Sequence, residues 1–322
     1  MKRLLMLILT LLVLVTIAAY GSAAEKNATV DIIDIHGTTA VPINPEAVVA
    51  LDNRTFDTLS AWGIRLAAVP KGVMPKESPY VQDKSVKDIG NHVDPDLELL
   101  ASLQPVLVIV GQRFASFYED IKALLPEAAV IDLAFDVSAA AERPGEALVS
   151  GLKDSTAALG MIFDKNAEAQ ALNAQFDEAI EAAKAAYNGT DTVMSVIVSG
   201  GNIGFSAPGA GRVWGPMYGI FGWKSSLDID NSTSGHQGDD INVEAIAQSN
   251  PDWIFVLDRD AAVSNSDSPP ARDVIDNSPA LQSVTAVTKG QIVYAPDDTY
   301  TNESIQTYLK LFSDLAAAFS KQ

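Results

Sequence analysis

Two stretches of the chain repeat one order of apolar and polar positions. Residues 95–113 read PDLELLASLQPVLVIVGQR, and residues 241–259 read INVEAIAQSNPDWIFVLDR. At an offset of 146 residues most positions keep their apolar or polar character. Five pairs are identical: Glu98 with Glu244, Ala101 with Ala247, Pro105 with Pro251, Val110 with Val256 and Arg113 with Arg259. The repeat indicates that one structural unit occurs twice, once in each half of the chain.

Each copy predicts a helix followed by a buried strand. Apolar residues stand at helical spacing, at positions 97, 100 and 101 in the first copy and 243, 246 and 247 in the second. Asp94 and Asp240 occupy the expected N-cap positions, with Pro95 just inside the first helix. Pro105 and Pro251 end the helices, and the apolar runs LVIV and WIFV that follow are typical of strands buried on both faces. Together these elements form half of a parallel α/β unit.

Similar patterns surround both copies. In the first half AVVALD predicts a strand, NRTFDTLSAWGI an amphipathic helix and LAAVP another strand. In the second half VMSVIVSG and AVTKGQIVYAP predict strands, and RVWGPMYGIFGW predicts a helix. The region between them, 144–187, is helical in pattern and contains no Gly/Ser-rich or Pro-rich linker. The predicted fold class is α/β, with two Rossmann-like lobes of parallel-rich sheets, joined by a long rigid helix, and a ligand cleft between the lobes.

The first 24 residues have the pattern of a cleavable secretory signal peptide. Lys2 and Arg3 precede an apolar run of 16 residues, and small residues lead to a cleavage site before Glu25. The run is shorter than the ~20 residues that a membrane-spanning helix needs. The predicted organisation is therefore a signal peptide at 1–24, an N-terminal lobe at 25–143, a connecting helical region at 144–187 and a C-terminal lobe at 188–322.

Composition and charge exclude several classes of function. The chain has no cysteine, so it has neither a disulfide nor the cysteine that anchors exported lipoproteins, and we expect a monomer free in the periplasm. Loss of Lys2 and Arg3 with the signal peptide changes the formal charge from −19 to −21. Such an acidic surface repels nucleic acid and anionic lipid. The G-x-S-x-G motif of a hydrolase is absent, and we predict that the protein is not an enzyme.

Three arginines are candidates for binding an anionic ligand. Arg113 and Arg259 each lie three residues past the last valine of a predicted strand, and ligands bind beyond the carboxyl ends of parallel strands. Arg212 follows the glycine-rich stretch GGNIGFSAPGAG and opens a predicted helix, whose N-terminus favours an anion. Three arginines in one cleft would require a ligand of about two or three negative charges. The alternative is that they are solvated surface residues.

Two loop residues are candidates for contact with a metal. His236 lies in the polar loop NSTSGHQGDD, and Tyr300 lies in VYAPDDTYTNES. A neutral imidazole and a phenolate together suit ferric iron, which prefers hard oxygen donors and accepts nitrogen. The alternative is that both are ordinary loop side chains. The sequence also leaves open whether His92, in GNHVDPD, faces the cleft.

Over nearly its full length the mature chain resembles the class III, or helical-backbone, periplasmic substrate-binding proteins of ABC importers for iron–siderophores, haem and cobalamin. The resemblance is closest to the ferric-catecholate branch, whose arginine motifs are matched here by GQR, GAGR and VLDR. It implies that Arg113, Arg212 and Arg259 hold catecholate oxygens. It also implies that His236 and Tyr300 complete the coordination shell of the iron.

The resemblance implies a role for the repeated glutamates as well. One surface glutamate in each lobe of these proteins pairs with arginines on the two permease subunits, and Glu98 and Glu244 are the matching positions. An acidic residue in the first turn of a helix is also favourable in itself. The chain departs from the family pattern in its histidine loop, which reads SGHQG rather than T-H-G, and in a short tyrosine loop where Tyr294 is an alternative to Tyr300.

These observations predict a periplasmic solute-binding protein that captures a ferric siderophore, of catecholate or mixed-catecholate type, and delivers it to the permease dimer of an inner-membrane ABC importer. The ferric siderophore is the transported ligand, and no permanently bound cofactor is expected. Trp214 and Tyr118 are candidates for the wall of the pocket. The alternative is a haem- or cobalamin-binding receptor of the same fold, although three arginines exceed the needs of two haem propionates and cobalamin lacks the matching negative charge.

Overall fold

The computed structural model describes residues 28–138, 141–230, 232–263 and 267–321. The predicted signal peptide, 1–24, lies outside the described residues. Within these ranges no helix combines the length and the apolar character needed to cross a membrane.

The N-terminal lobe contains a hairpin and a parallel sheet. The hairpin pairs β1 (Thr29–Asp34) with β2 (Gly37–Pro42). The sheet strands are β3 (Val48–Ala50), β4 (Ala68–Val69), β5 (Lys87–Asp88), β6 (Leu107–Val110) and β7 (Ala129–Asp132). Their order is β5-β4-β3-β6-β7, and every pairing is parallel. The run LVIV is wholly buried in β6 because apolar clusters cover both faces of the sheet.

The helices of this lobe connect successive strands across the sheet. They are α1 (Phe56–Ala61), α2 (Pro79–Gln82), α3 (Leu97–Ser102) and α4 (Tyr118–Leu124), with 3₁₀ turns at Asn53–Thr55, Lys71–Val73 and Gln112–Phe117. The predicted strands in AVVALD and LAAVP and the helix between them are confirmed as β3, β4 and α1.

Two helices follow the N-terminal sheet, α5 (Pro144–Ile162) and α6 (Asn166–Ala186). The first half of α5 packs Leu148 and Leu152 into the core of the C-terminal lobe, and its second half packs Leu159 and Ile162 into the core of the N-terminal lobe. α5 therefore belongs to both lobes at once. The predicted single long helix is in fact two helices, because α6 turns back and packs on the C-terminal lobe.

The C-terminal lobe is built on a mixed sheet. Its strands are β8 (Thr192–Ser199), β9 (Asn202–Phe205), β10 (Lys224–Ser225), β11 (Asp239–Asp240), β12 (Trp253–Asp258) and β13 (Ile292–Tyr294). The order is β11-β9-β8-β12-β13, β10 pairs with the start of β8, and only the pairings of β9 are antiparallel. Its helices are α7 (Gly215–Phe221), α8 (Val243–Ser249), α9 (Arg259–Ala262), α10 (Ala271–Asp276), α11 (Thr285–Lys289), α12 (Thr299–Asn302) and α13 (Ile305–Phe319). The prediction of an α/β fold with parallel-rich sheets in two lobes is confirmed.

The N-termini of the two repeated helices differ from the prediction. α3 is capped by the side chain of Asp96 and α8 by that of Asn242. The predicted caps, Asp94 and Asp240, were wrong by two residues. The helices have not begun at those positions, because Asp94 lies in a bend before Pro95, which forms a β-bridge with residue 90, and Asp240 belongs to β11.

The segment AVTKGQIVYAP contains a helix as well as a strand. Its first four residues belong to α11, and only β13 is extended. Gly290 ends α11 with a left-handed φ of 67°, which glycine adopts without steric cost. The prediction of one strand was therefore wrong for AVTK, which forms a short helix that packs against β12.

Candidate ligand-binding site

Arg113 and Arg259 lie at equivalent edges of the two sheets. In the N-terminal sheet the strand order reverses between β3 and β6, so a crevice opens beyond their carboxyl ends. Arg113 stands in the 3₁₀ turn that follows β6. Arg259 directly follows β12, and its Nη1 donates a hydrogen bond to Ser199 Oγ at the end of β8, at 3.1 Å. The repeat therefore delivers one guanidinium to each side of the cleft.

Arg212 lies in a tight turn before α7. The helix begins at Gly215 with Trp214 as its N-cap, so the prediction that Arg212 opens the helix was wrong. Ser206 Oγ donates to the Arg212 carbonyl oxygen at 3.0 Å. Gly211 leaves no room for a Cβ, which would lie 2.4 Å from the carbonyl carbon of Ser206. The glycine-rich stretch thus acts as a compact turn that fixes the arginine.

The three arginines converge on Tyr300, in α12. Nη2 of Arg113 and Nη2 of Arg212 both donate to the Tyr300 carbonyl oxygen, at 3.2 and 3.4 Å. The guanidinium carbons of Arg212 and Arg259 lie 4.6 and 5.3 Å from the centre of the tyrosine ring. In the described part of the chain, the Nε–H groups of Arg212 and Arg259 have no hydrogen-bond partner. These two buried donors are therefore available to a ligand.

His236 and Tyr300 form a hydrogen-bonded pair in the same cluster. Tyr300 Oη and His236 Nδ1 are 2.6 Å apart. Burial and the positive charges of Arg212, Arg113 and Arg259 lower the pKa of His236, so its imidazole is neutral at pH 7. No group of three His, Cys, Asp or Glu side chains among the described residues could hold a metal ion. The pair offers at most two donors, and any iron bound here must bring its other ligands with it.

These side chains line a cavity of about 310 Å³ between the lobes. His92, which the sequence left unplaced, lies in its wall, and burial together with Arg113 lowers the pKa of His92. Arg212 lines a smaller cavity of about 160 Å³. The lining of the first cavity consists of Gly72, Val73, Met74, Asn91, His92 and Arg113 from the N-terminal lobe and His236, Arg259, Ala262, Val263, Tyr300 and Thr301 from the C-terminal lobe.

A larger groove, of about 990 Å³, lies among α5, α6 and α7. Charged side chains in its lining pair with one another, as Lys153 does with Asp177 at 2.6 Å and Arg143 with Glu146 at 2.7 Å. With five acidic and three basic residues in its lining, the groove presents an excess of negative charge, which does not favour an anionic ligand. The cleft cavity is smaller, but its arginines outnumber the acidic groups that face them.

A buried ionic network that was not predicted from the sequence lies beside Arg212. Glu303 places Oε2 3.2 Å from Nη2 of Arg54 and forms a short ion pair through Oε1 with Nη2 of Arg212. Burial alone would raise the pKa of Glu303, but Arg212 and Arg54 hold it below its usual value. Asp52, in the same region, has its pKa raised to about 6, chiefly by burial. The sequence could have indicated Asp52 and Arg54, because both follow the strand in AVVALD directly. That position places them at the same sheet edge as Arg113.

The aromatic candidates for the pocket wall were wrong. Trp214 is fully buried, with its ring 5.4 Å from that of Phe255 in the core of the C-terminal lobe. Tyr118 is buried in the N-terminal lobe, where its ring stacks on His36 at 3.6 Å. Both side chains point into apolar cores, so the ligand cavity is walled by other residues.

Glu98 and Glu244 stand at equivalent positions on the surface. Each is the second residue of its helix, α3 or α8, and each is exposed. Both helices begin at the edge of the sheet where the cleft opens, because the preceding strands, β5 and β11, run parallel to the central strands. The two carboxylates therefore lie on the cleft side of their respective lobes.

Comparison with known proteins places this architecture in a family. The sequence profile described as periplasmic binding protein matches residues 48–299. The chain is 28% identical over 313 residues to the petrobactin-binding protein YclQ of Bacillus subtilis (strain 168), covering 93% of each chain. It is 27% identical over 286 residues to the ferric-anguibactin-binding protein FatB of Vibrio anguillarum, covering 86% of this chain and 83% of FatB.

Solved structures share the fold. The crystal structure of YclQ superposes with a TM-score of 0.76 at 24% identity, over 92% of this chain and all of YclQ. The periplasmic catecholate-siderophore binding protein VctP of Vibrio cholerae superposes with a TM-score of 0.75 at 22% identity, over 92% of this chain and all of VctP. These relatives bind substrates and are not enzymes. Because the family profile covers more than half of the chain and both central sheets, the chain belongs to the periplasmic binding protein family and is itself a substrate-binding protein.

Proposed function

We propose that this protein captures a ferric siderophore, of catecholate or mixed-catecholate type, and delivers it to the permease dimer of an ABC importer. The observation that carries the proposal is the convergence of Arg113, Arg212 and Arg259, from both lobes, on Tyr300. Guanidinium groups make strong charge-assisted hydrogen bonds to anionic oxygens such as those of catecholates. Several positive charges brought together in a partly buried cleft repel one another, so an anionic cargo stabilises them.

Tyr300 and His236 would bind the iron of the cargo directly. A chelator with four donors leaves two of the six coordination positions of ferric iron open, and a phenolate oxygen with an imidazole nitrogen suits them. The neutral imidazole is already available at pH 7. Binding of the cargo would replace the Oη–Nδ1 hydrogen bond by two bonds to iron and release the phenolic proton.

The relatives support an iron chelate as the cargo. FatB, which aligns with most of this chain, is a ferric-anguibactin-binding protein. VctP, which shares the fold, is a catecholate-siderophore binding protein. The proposal includes a mature chain that begins at Glu25, carries no lipid anchor or permanent cofactor and acts as a monomer in the periplasm.

The test is a titration of the mature chain with a ferric bis-catecholate, haemin and cobalamin in parallel, followed by tryptophan fluorescence and visible absorption. We expect the ferric chelate to bind. We expect Arg113→Gln, Arg212→Gln and Arg259→Gln each to weaken it by more than about 1.5 kcal/mol, or about tenfold, because each loses charge-assisted hydrogen bonds.

Arg272→Gln is the matched control, because its guanidinium stacks on Tyr294 at 4.3 Å, outside the cavity. Its affinity should equal that of the wild type. Binding of haemin alone, with a shifted Soret band, would replace the proposed cargo by haem. Near-normal affinity in all three cleft variants would show that the arginines do not hold the cargo.

A further inference from the structure

Glu303 is a buried carboxylate that faces the arginine cluster from within the protein. It is 6% exposed, and each of its oxygens faces a different guanidinium. Oε2 pairs with Arg54 of the N-terminal lobe and Oε1 with Arg212 of the C-terminal lobe. Arg54 and Arg212 are themselves buried, with side-chain exposures of 3% and 11%. The carboxylate is thus the shared counter-charge of two arginines, one of which reaches the cleft.

The backbone fixes Glu303 in this place. The residue ends α12 with a left-handed φ of 48° and directly precedes Ser304, the N-cap of α13. Ser304 Oγ donates to Asp57 Oδ2 in the N-terminal lobe at 2.6 Å, and Asn302 Nδ2 donates to the same oxygen at 3.1 Å. Neighbours on both sides therefore tie Glu303 to the opposite lobe. These contacts hold the backbone of Glu303 where its carboxylate can reach both arginines.

The charge of Glu303 changes the net charge that the cargo meets in the cleft. Arg54, Arg113 and Arg212 form one group, in which Arg113 feels the charges of both Arg212 and Glu303. Arg259 joins the group through the ring of Tyr300. Glu303 cancels one unit of this positive charge inside a poorly solvated region, where charges act over longer distances than in water. Asp260, 3.6 Å from Nη1 of Arg259, offsets positive charge as well, so the site is less positive than its arginines alone would make it, and Glu303 supplies one unit of that difference.

Resting on the function proposed above, we propose that Glu303 is a positioning and specificity-determining residue, which holds Arg212 in place and sets the net charge of the chelate that the cleft accepts. Glu303 does not touch the cargo. It acts through Arg212 and through its field on the cavity. Loss of its charge should shift the preference of the site toward a cargo with one more negative charge.

The test compares two chelates of the same shape and different charge. A tetradentate bis-catecholate gives a complex of charge −1 with Fe³⁺ and of charge 0 with Ti⁴⁺, because four phenolate charges are offset by three or by four. The dissociation constant of each complex is measured for the wild type, Glu303→Gln and Glu303→Asp. In Glu303→Gln we expect the preference for the ferric over the titanium complex to rise roughly tenfold, as one unit charge would produce over about 10 Å at an effective dielectric constant of about 20.

Glu303→Asp and Arg54→Gln separate charge from structure. Glu303→Asp keeps the charge, so it should keep the wild-type preference even if it weakens both complexes. Arg54→Gln removes a positive charge and should shift the preference in the opposite direction, toward the titanium complex. This variant tests the proposal even if Glu303→Gln does not fold. Glu181→Gln, in an exposed pair with Lys184 on α6, should change nothing.

Each outcome decides between the two proposals. If Glu303→Gln or Glu303→Asp weakens both complexes by the same factor and no variant changes the ratio, Glu303 is only structural and this proposal is wrong while the proposed function stands. If the wild type binds neither complex, the catecholate cargo itself is wrong, and the role of Glu303 in selecting it is wrong as well.

Discussion

Tyr294 and Tyr300 are six residues apart and carry the same phenol, yet their surroundings differ. Tyr294 lies in β13 beneath the guanidinium of Arg272, and burial raises its pKa to about 12. Tyr300 lies in the cleft, bonded to His236 and covered by two arginines. From the sequence, Tyr294 remained an alternative to Tyr300, because only six residues separate them. The two tyrosines therefore differ in the side chains that the fold places around each ring.

Tyr300→Phe removes the phenol oxygen and keeps the ring that the arginines cover. In a titration with a ferric bis-catecholate we expect the perturbation of the charge-transfer band to disappear and the affinity to fall by about 1–3 kcal/mol, since a buried polar partner is lost. Tyr294→Phe is the control and should keep both the band and the affinity. An unchanged band in Tyr300→Phe would exclude the phenolate as a ligand of the iron.

At the scale of elements, α5 decides how the two lobes are joined. Its apolar residues recur at helical spacing, which predicted the helix from sequence. The sequence did not show that the apolar residues in the first half of α5 pack into one core and those in the second half into the other. A helix shared in this way couples the two cores, because neither half can leave its lobe without exposing apolar surface. It therefore favours small adjustments between the lobes over wide opening.

Leu152→Ala and Leu159→Ala test that coupling from the two ends of α5. Each should lower the free energy of unfolding by about 2–5 kcal/mol, because each leaves a cavity in a closed core. The measurement is urea unfolding followed by both tryptophan fluorescence and far-UV circular dichroism, and we expect the two signals to change together in both variants.

Met161→Ala is the control on the same helix. Its side chain is 38% exposed, so the loss should stay within about 1 kcal/mol. Two separate transitions in either leucine variant would show that the lobes unfold independently and that α5 does not couple them.

At the scale of the whole molecule, the repeat relates the two lobes by an approximate twofold arrangement of equivalent elements. Glu98 and Glu244 occupy matching first turns on the side where the cleft opens. Neither forms an ion pair with another described residue within 4.0 Å, so both carboxylates are available to a partner. A surface with two equivalent acidic positions suits a permease built of two equivalent subunits, and we propose that these glutamates dock the protein on it.

Changing Glu98→Gln and Glu244→Gln together should leave ferric-chelate affinity unchanged and abolish uptake by cells that depend on this protein. Affinity is measured by fluorescence titration and uptake with radioactive iron. The control pair, Glu127→Gln with Glu178→Gln, removes two exposed carboxylates that lie elsewhere in the molecule and should preserve uptake. A fall in affinity in the docking variant would mean that the glutamates belong to the binding site instead.

The sequence by itself determined the α/β class, the existence of two similar lobes and the placement of Arg113 and Arg259 at matching sheet edges. These features follow from local patterns, because apolar periodicity selects helix or strand and a parallel sheet brings the carboxyl ends of its strands to one edge. Helix starts were less certain, since several capping residues occur close together before α3 and α8.

Only the tertiary structure decided which residues meet in the cleft. The contact of Arg54 with Glu303 joins positions 249 residues apart, and that of Arg212 with Tyr300 joins positions 88 apart. No local period carries such information, because these pairings depend on how the lobes pack across α5 and on turns fixed by single glycines. For the same reason the sequence suggested Trp214 as part of the pocket wall, although the fold buries it in a core. The fold also places the buried Glu303 beside the arginines of the cleft.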